Sequence, residues 1–163
     1  MQQALRLSGR WTQLLSAAFV SALVIIGDQL TKHWVRSAFS MGEAKFADWP
    51  VRLRYVENSG SAFGLFPNQT SVLIVASIIA MSVVVWMFRQ TGLSALPLRL
   101  SLGLMLGGGT SNLVDRIRFG SVTDFIDFRV WPIFNVADSS VVIGITLLIV
   151  FVLLRDSRAP KTG

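Results

Sequence analysis

Nothing between Glu57 and Arg89 is charged, and Thr70 to Phe88 within that run matches the roughly 20 apolar residues that a bilayer core requires. A chain of 163 residues that is 52% hydrophobic, with a mean hydropathy of +0.58, is too apolar to bury such a run in an ordinary water-soluble core. The run therefore predicts a membrane helix. Three more uncharged segments flank it: Trp11 to Gly27, the stretch between Arg99 and Asp115, and the stretch between Asp138 and Arg155. The first has the charged-then-apolar layout of a signal peptide, but further apolar runs follow it, so a retained helix is expected. The predicted fold is a mainly α membrane protein, a four-transmembrane-helix bundle with a small extracytoplasmic β-hairpin or cradle. Its helices fall at about 11–31, 68–88, 96–115 and 137–155, with outer loops at about 33–67 and 116–136, and residues 1–163 form a single integral membrane domain.

Threading the four helices up and down separates the charges by side. Asp28, Asp115 and Asp138 fall at one end, and Arg10, Arg89, Arg99 and Arg155 at the other. Short basic segments tend to stay in the cytoplasm, so both termini are expected there and the carboxylates face outward. The formal charge of +6 does not point to nucleic acid, because the basic residues are scattered between apolar runs. There is no cysteine, and one histidine, His33, cannot build a multi-histidine metal site; no metal or cofactor is expected.

The first outer loop is too long for a simple connector. Val51, Leu53 and Tyr55 alternate with Arg52 and Arg54 after Trp49-Pro50, which predicts a short hairpin over Lys45 to Tyr55. Asn58 to Gly64 then reads either as a flexible flap or as the turn into the second helix. The tail from Asp156 onward is expected to be disordered.

Carboxylates carry the candidate chemistry. Asp124 follows the third helix, Asp138 opens the fourth, and Pro132 between them lets the chain turn back so that they can meet. Two close carboxylates share one proton, and such a pair can activate water with one member and protonate a peptide carbonyl with the other. Each has an ordinary alternative. Asp138 in Asp-Ser-Ser is a suitable helix N-cap, and Asp124 can be a solvated loop acid. Asp127 is a rival to Asp124, since in an extended segment the two point to opposite faces. Asp115 with Arg116 reads as an interfacial charge pair, and Asp28 with Lys32 as a structural one. Asn112 and Arg116, one turn apart, either orient a substrate or form a polar helix end. Gly107-Gly108-Gly109 lacks the lysine of a phosphate loop and reads as close helix packing. An ion- or proton-coupled transporter using its outer carboxylates is the alternative from another class.

Five motifs in order resemble lipoprotein signal peptidase, the signal peptidase II family. They are Asp28-Gln29-Leu30-Thr31-Lys32, Asn58-Ser59-Gly60-Ser61-Ala62-Phe63, Asn112-Leu113-Val114-Asp115-Arg116, Val122-Thr123-Asp124-Phe125-Ile126-Asp127 and Phe134-Asn135-Val136-Ala137-Asp138. The resemblance implies an aspartyl endopeptidase of the bacterial inner membrane, with Asp124 and Asp138 as the catalytic dyad and Asn58, Asn112, Arg116 and Asn135 around the substrate. It implies a prolipoprotein substrate whose lipobox cysteine already carries diacylglyceryl, cut just before that cysteine, with membrane lipid and no nucleic acid as further partners and a monomeric enzyme. The family usually has glycine where Ser111 stands, so altered packing is expected there with no loss of activity.

Overall fold

The computed structural model describes residues 2–60, 70–91 and 93–156. The elements run α1 (Gln2–Ala38), β1 (Ala44–Lys45), β2 (Arg52–Asn58), α2 (Thr70–Thr91), α3 (Leu96–Phe119), β3 (Val122–Asp127) and α4 (Val136–Asp156). The molecule is mainly helical with one small antiparallel sheet. Ser61 to Gly64 of the flap-or-turn stretch, and the tail beyond Asp156, lie outside the described residues.

The first three helices run further than expected, the first starting already at Gln2 and the second ending at Thr91. The first continues past residue 31 to Ala38, and the third past residue 115 to Phe119. The charges that bounded the apolar runs do not end helices, because Lys32 Nζ lies 2.6 Å from Asp28 and 2.9 Å from Asp115, all three fully buried. Asp28 and Lys32 are thus interior residues of α1, one turn apart.

Side chains are distributed in the opposite sense to a water-soluble protein. Leu23, Ile26, Ile79, Val83, Ile143 and Leu153 are exposed, while Asp28, Lys32, Ser111, Asp115 and Asn135 are enclosed. Lipid against the apolar exterior and polar groups satisfied within is the stable arrangement for such a chain. Three helical stretches, Trp11–Ala38, Thr70–Thr91 and Val136–Arg155, are long and apolar enough to cross a membrane. The 24-residue α3 carries Arg99, Asp115, Arg116 and Arg118 and lies at the centre, against α1, α4 and α2. Pro97 sits in its first turn, and Gly120 at φ 78° closes it by donating its N–H to Arg116 O at 3.1 Å.

Small residues bring the helices close. A Cβ on Gly107 would lie 2.8 Å from Val24 Cβ and 2.9 Å from the Ser21 carbonyl oxygen of α1. On Gly108 it would collide with the Ala137 carbonyl oxygen of α4. The glycine run thus serves packing, and the short interhelical gap lets short polar side chains bridge it.

The sheet order is β1-β2-β3, antiparallel throughout. The expected hairpin is present as β1 and β2, but β3, from the second outer loop, is a third strand that the alternation test passed over. Val122, Thr123, Asp124 and Phe125 are all buried, and a strand covered on both faces shows no alternation. An irregularity between Leu53 and Val56 shifts the register, from Leu53 opposite Ile126 to Val56 opposite Asp124. Below the sheet, Val35, Phe39 and Phe125 form one apolar cluster, and Ala17, Phe88, Leu93, Leu98 and Leu102 form another at the far end of the bundle. The buried polar groups lie between them.

Gly107→Leu and Gly108→Val should each destabilise the detergent-solubilised protein by roughly 1–3 kcal/mol through overpacking. Gly27→Ala, where no atom lies within 4 Å of the added Cβ, should not lower the melting temperature, since alanine is the better helix former. Thermal unfolding followed by circular dichroism checks the contrast.

Candidate active site

β3 brings Asp124 inward and turns Asp127 away. Asp127 Oδ2 accepts from Arg52 Nε at 2.7 Å, and its Oδ1 accepts the Arg129 N–H at 2.7 Å. Three residues along a strand reverse the face, and Asp127 holds the sheet edge. Arg129 at φ 67° then reverses the chain before Pro132. Phe134 returns beside the strand, donating its N–H to Ile126 O at 3.2 Å and accepting from Phe125 and Ile126 N–H at 3.0 and 2.8 Å. That return sets Asn135 next to Asp124.

Asn135, not Asp138, is the N-cap of α4. Asn135 Oδ1 accepts the Asp138 N–H at 2.9 Å, and Asp138 Oδ2 accepts the Asn135 N–H at 3.2 Å. This is a reciprocal capping box with Asp138 at its third helical position. The expectation of an Asp138 N-cap is corrected by three residues. Asp28 Oδ1, from α1, accepts the Ala137 N–H at 2.8 Å and so satisfies another donor of the same helix start.

All four carboxylate oxygens of Asp124 and Asp138 accept a hydrogen bond from an N–H group. Asp124 Oδ1 takes Asn135 Nδ2 at 2.7 Å, and its Oδ2 takes Asn58 Nδ2 at 2.8 Å. Asp138 Oδ1 takes Asn112 Nδ2 at 2.8 Å, with the Asn135 backbone on Oδ2. Asn58 reaches Asp124 diagonally across the sheet, two residues along β2 from Val56. Burial raises the Asp124 pKa to about 6; the Asn58 hydrogen bond opposes this, the nearby Asp138 charge adds to it, and Asn135 and Lys32 pull it down. Of the proposed site residues, Asn58, Asn112 and Asn135 therefore touch the aspartates directly.

Arg116 does not. Its NH1 lies 3.5 Å from Asn112 O, and its buried Nε has no hydrogen-bond partner among the described residues. Nor do Asp115 and Arg116 pair as expected, since adjacent helical residues point about 100° apart. Asp115 instead accepts from Gln29 Nε2 at 2.9 Å, from the Thr123 N–H at 3.4 Å and from Lys32. Residues that sequence reasoning left outside the site join it here. Ser111, where glycine was expected, donates to Asp28 Oδ2 at 2.7 Å and accepts from Gln29 at 3.0 Å. Glu57 accepts Tyr55 OH at 2.6 Å, Thr123 Oγ1 at 3.2 Å and a very short bond from Ser121. The signal was present in Asp28-Gln29-Leu30-Thr31-Lys32, whose polar members fall within one helical turn of each other.

A groove of ≈ 370 Å³ opens beside Asp138, walled by Trp131, Phe134, Val142 and Ile143. Ser139 and the Asp138 carboxylate are its polar lining groups, and the rest is apolar. A wider groove of ≈ 620 Å³ between α1 and the end of α3 includes His33, Arg36 and Arg118 but no acid.

The signal peptidase II family model matches residues 20–154. The lipoprotein signal peptidase of Moorella thermoacetica is 41% identical over 134 residues, covering 79% of this chain and 87% of that protein. That of Halothermothrix orenii is 42% identical over 133 residues, covering 81% and 91%. A solved bacterial membrane enzyme superimposes with a TM-score of 0.78 at 28% identity, covering 90% of this chain and 92% of its own. A second superimposes with a TM-score of 0.77 at 29% identity, over 84% and 92%. With Asp124 on β3 and Asp138 in the first turn of α4 both hydrogen-bonded to Asn135, and the family model matching residues 20–154, this chain belongs to the signal peptidase II family.

Proposed function

We propose that Asp124 and Asp138 are the catalytic dyad with which this peptidase removes the signal peptide from prolipoproteins. The observation that carries the reading is the set of four N–H donors on the four carboxylate oxygens. Amide donors fix both carboxylates and can accept nothing, so a shared proton and an attacking water are left to the space between the acids. The ionised acid takes a proton from water as it attacks the scissile carbonyl, and the protonated acid gives its proton to the carbonyl oxygen. Return of a proton to the leaving amine expels it, with no covalent intermediate. Nothing among the matched relatives favours the ion-coupled transporter.

Four helices cross the bacterial cytoplasmic membrane in this reading, α3 among them, with both termini cytoplasmic and the dyad near the outer face. The whole chain acts as one membrane domain and as a monomer, without a cofactor. At about 36 Å, α3 is long enough to span, and its charged residues lie near its ends or face protein. Substrates are signal peptides with a diacylglyceryl-modified lipobox cysteine, cut before that cysteine. The apolar groove beside Asp138 suits such a ligand: its walls take lipid-like surface while its one carboxylate faces the bond to be cut. Asn58, Asn112 and Asn135 shape the site through the aspartates, and Arg116, one turn along α3 from Asn112, orients the substrate.

Asp124→Asn and Asp138→Asn should each cut kcat for a lipidated precursor by on the order of 10²–10⁴-fold or more while insertion persists. Normal cleavage by either variant would refute the assignment. Because Asp124 holds its proton up to about pH 6, raising the pH through that value removes the acid of the pair. The alkaline limb of kcat/KM should therefore fall near 6, and that of kcat should lie higher, because bound substrate desolvates the acid further. Steady-state profiles in lipid nanodiscs at fixed ionic strength provide the check.

A further inference from the structure

We infer that Lys32 is a positioning residue of the site: its buried ammonium turns the Asn112 side chain oxygen-inward, and this obliges Asn112 Nδ2 to donate to Asp138. The inference rests on the dyad reading above.

A lysine ammonium has three N–H donors and no acceptor. The three acceptors around Lys32 Nζ are Asp28 Oδ2 at 2.6 Å, Asn112 Oδ1 at 2.8 Å and Asp115 Oδ2 at 2.9 Å, and the side chain is fully buried. Facing such a group, the amide of Asn112 has one permitted orientation. Its nitrogen then points away, 2.8 Å from Asp138 Oδ1. A flipped amide would set N–H against N–H at Lys32 and oxygen against carboxylate at Asp138, two repulsive contacts in an enclosed site.

Other contacts hold the orientation less firmly. Asn135 Nδ2 also approaches Asn112 Oδ1, at 3.2 Å, but its nearer acceptor is Asp124 at 2.7 Å. Asn135 itself needs no help from lysine, because its oxygen is fixed by the Asp138 N–H. The charged groups facing this cluster are Asp28 and Arg36 from α1, Asp115 from α3, Asp124 from β3 and Asp138 from α4. Arg36 NH1 lies 3.8 Å from Asp115 and 2.9 Å from Thr123 Oγ1, too committed elsewhere to replace Lys32 at Asn112. The chain of command thus runs from α1 through an α3 amide to an α4 acid, and Lys32 never meets the substrate.

The test uses the full-length protein in nanodiscs with a lipidated precursor. Asp28→Asn/Lys32→Met keeps the net charge of the Asp28, Lys32 and Asp115 trio at its original value while removing the donor to Asn112, along with the donor to Asp115 and one of the two acceptors that Asp28 offers Ser111 and Ala137. It should lower kcat per folded molecule about 100-fold and leave KM within about threefold. Lys32→Gln, which keeps an NH2 donor within reach of Asn112, should retain kcat within about tenfold. A double variant with normal kcat overturns the inference. If the double variant does not insert, Lys32→Gln decides: a loss as deep as that of Asp138→Asn overturns it, and retention supports it. Asp124→Asn and Asp138→Asn run alongside. Cleavage by those two sinks the dyad itself, whereas their silence combined with a normal double variant sinks only the role of Lys32.

Discussion

One buried ammonium, that of Lys32, is the constraint around which the rest of the interior is arranged. Its bonds join α1 to α3, and the two carboxylates it holds reach on to the start of α4 and to the Thr123 N–H of β3. Burying these charges is expensive, and the net return of a buried ion pair over an apolar equivalent is small. Removing one member is a different matter, costing roughly 3–5 kcal/mol, because a bare charge remains in a medium that cannot solvate it. The cluster therefore fixes which helices meet and in what register more than it deepens overall stability. In lipid, where apolar side chains gain nothing by clustering, that role is a demanding one.

Helix packing and site geometry are two aspects of the same feature. Gly107 and Gly108 let α3 approach α1 and α4 so closely that a Cβ would collide. Only at such separations can asparagine, among the shorter polar side chains, span from one helix to an acid on the next. Ser111 adds to this. Standing where glycine was expected, it fits the same gap and gives Asp28 a hydroxyl donor at 2.7 Å. Asp138 shows a related economy, because the acid proposed for the chemistry is also half of a capping box.

Much of this was legible in the chain. The uncharged runs marked the helices, the sidedness of Asp28 and Asp115 placed them at one end, and the return after Pro132 sets Asn135 against both Asp124 and Asp138. Asp28 and Lys32 were read as a pair, and they are one. Helix ends were misjudged because charge was taken as a boundary, whereas charges satisfied by neighbours from other helices can stay inside. The third strand escaped notice because burial on both faces erases alternation. The partner of Asp115 lies 83 positions away at Lys32, and no local pattern announces a contact that only folding creates. The N-cap was displaced by three residues because Asp-Ser-Ser is as good a cap by composition as Asn135 is by geometry.

The ionic cluster also bears on how the chain is made. When α1 first enters lipid, Lys32 has Asp28 within its own helix, but its other acceptors belong to α3. Asn112 follows Lys32 by 80 residues. At about 5–20 residues per second, synthesis needs on the order of 4–16 s to supply it. During that interval a lysine with two unmet hydrogen bonds must stay near water, at the interface or inside the insertion machinery. The first helix is thus a provisional occupant of the bilayer, seated for good only once the third has arrived.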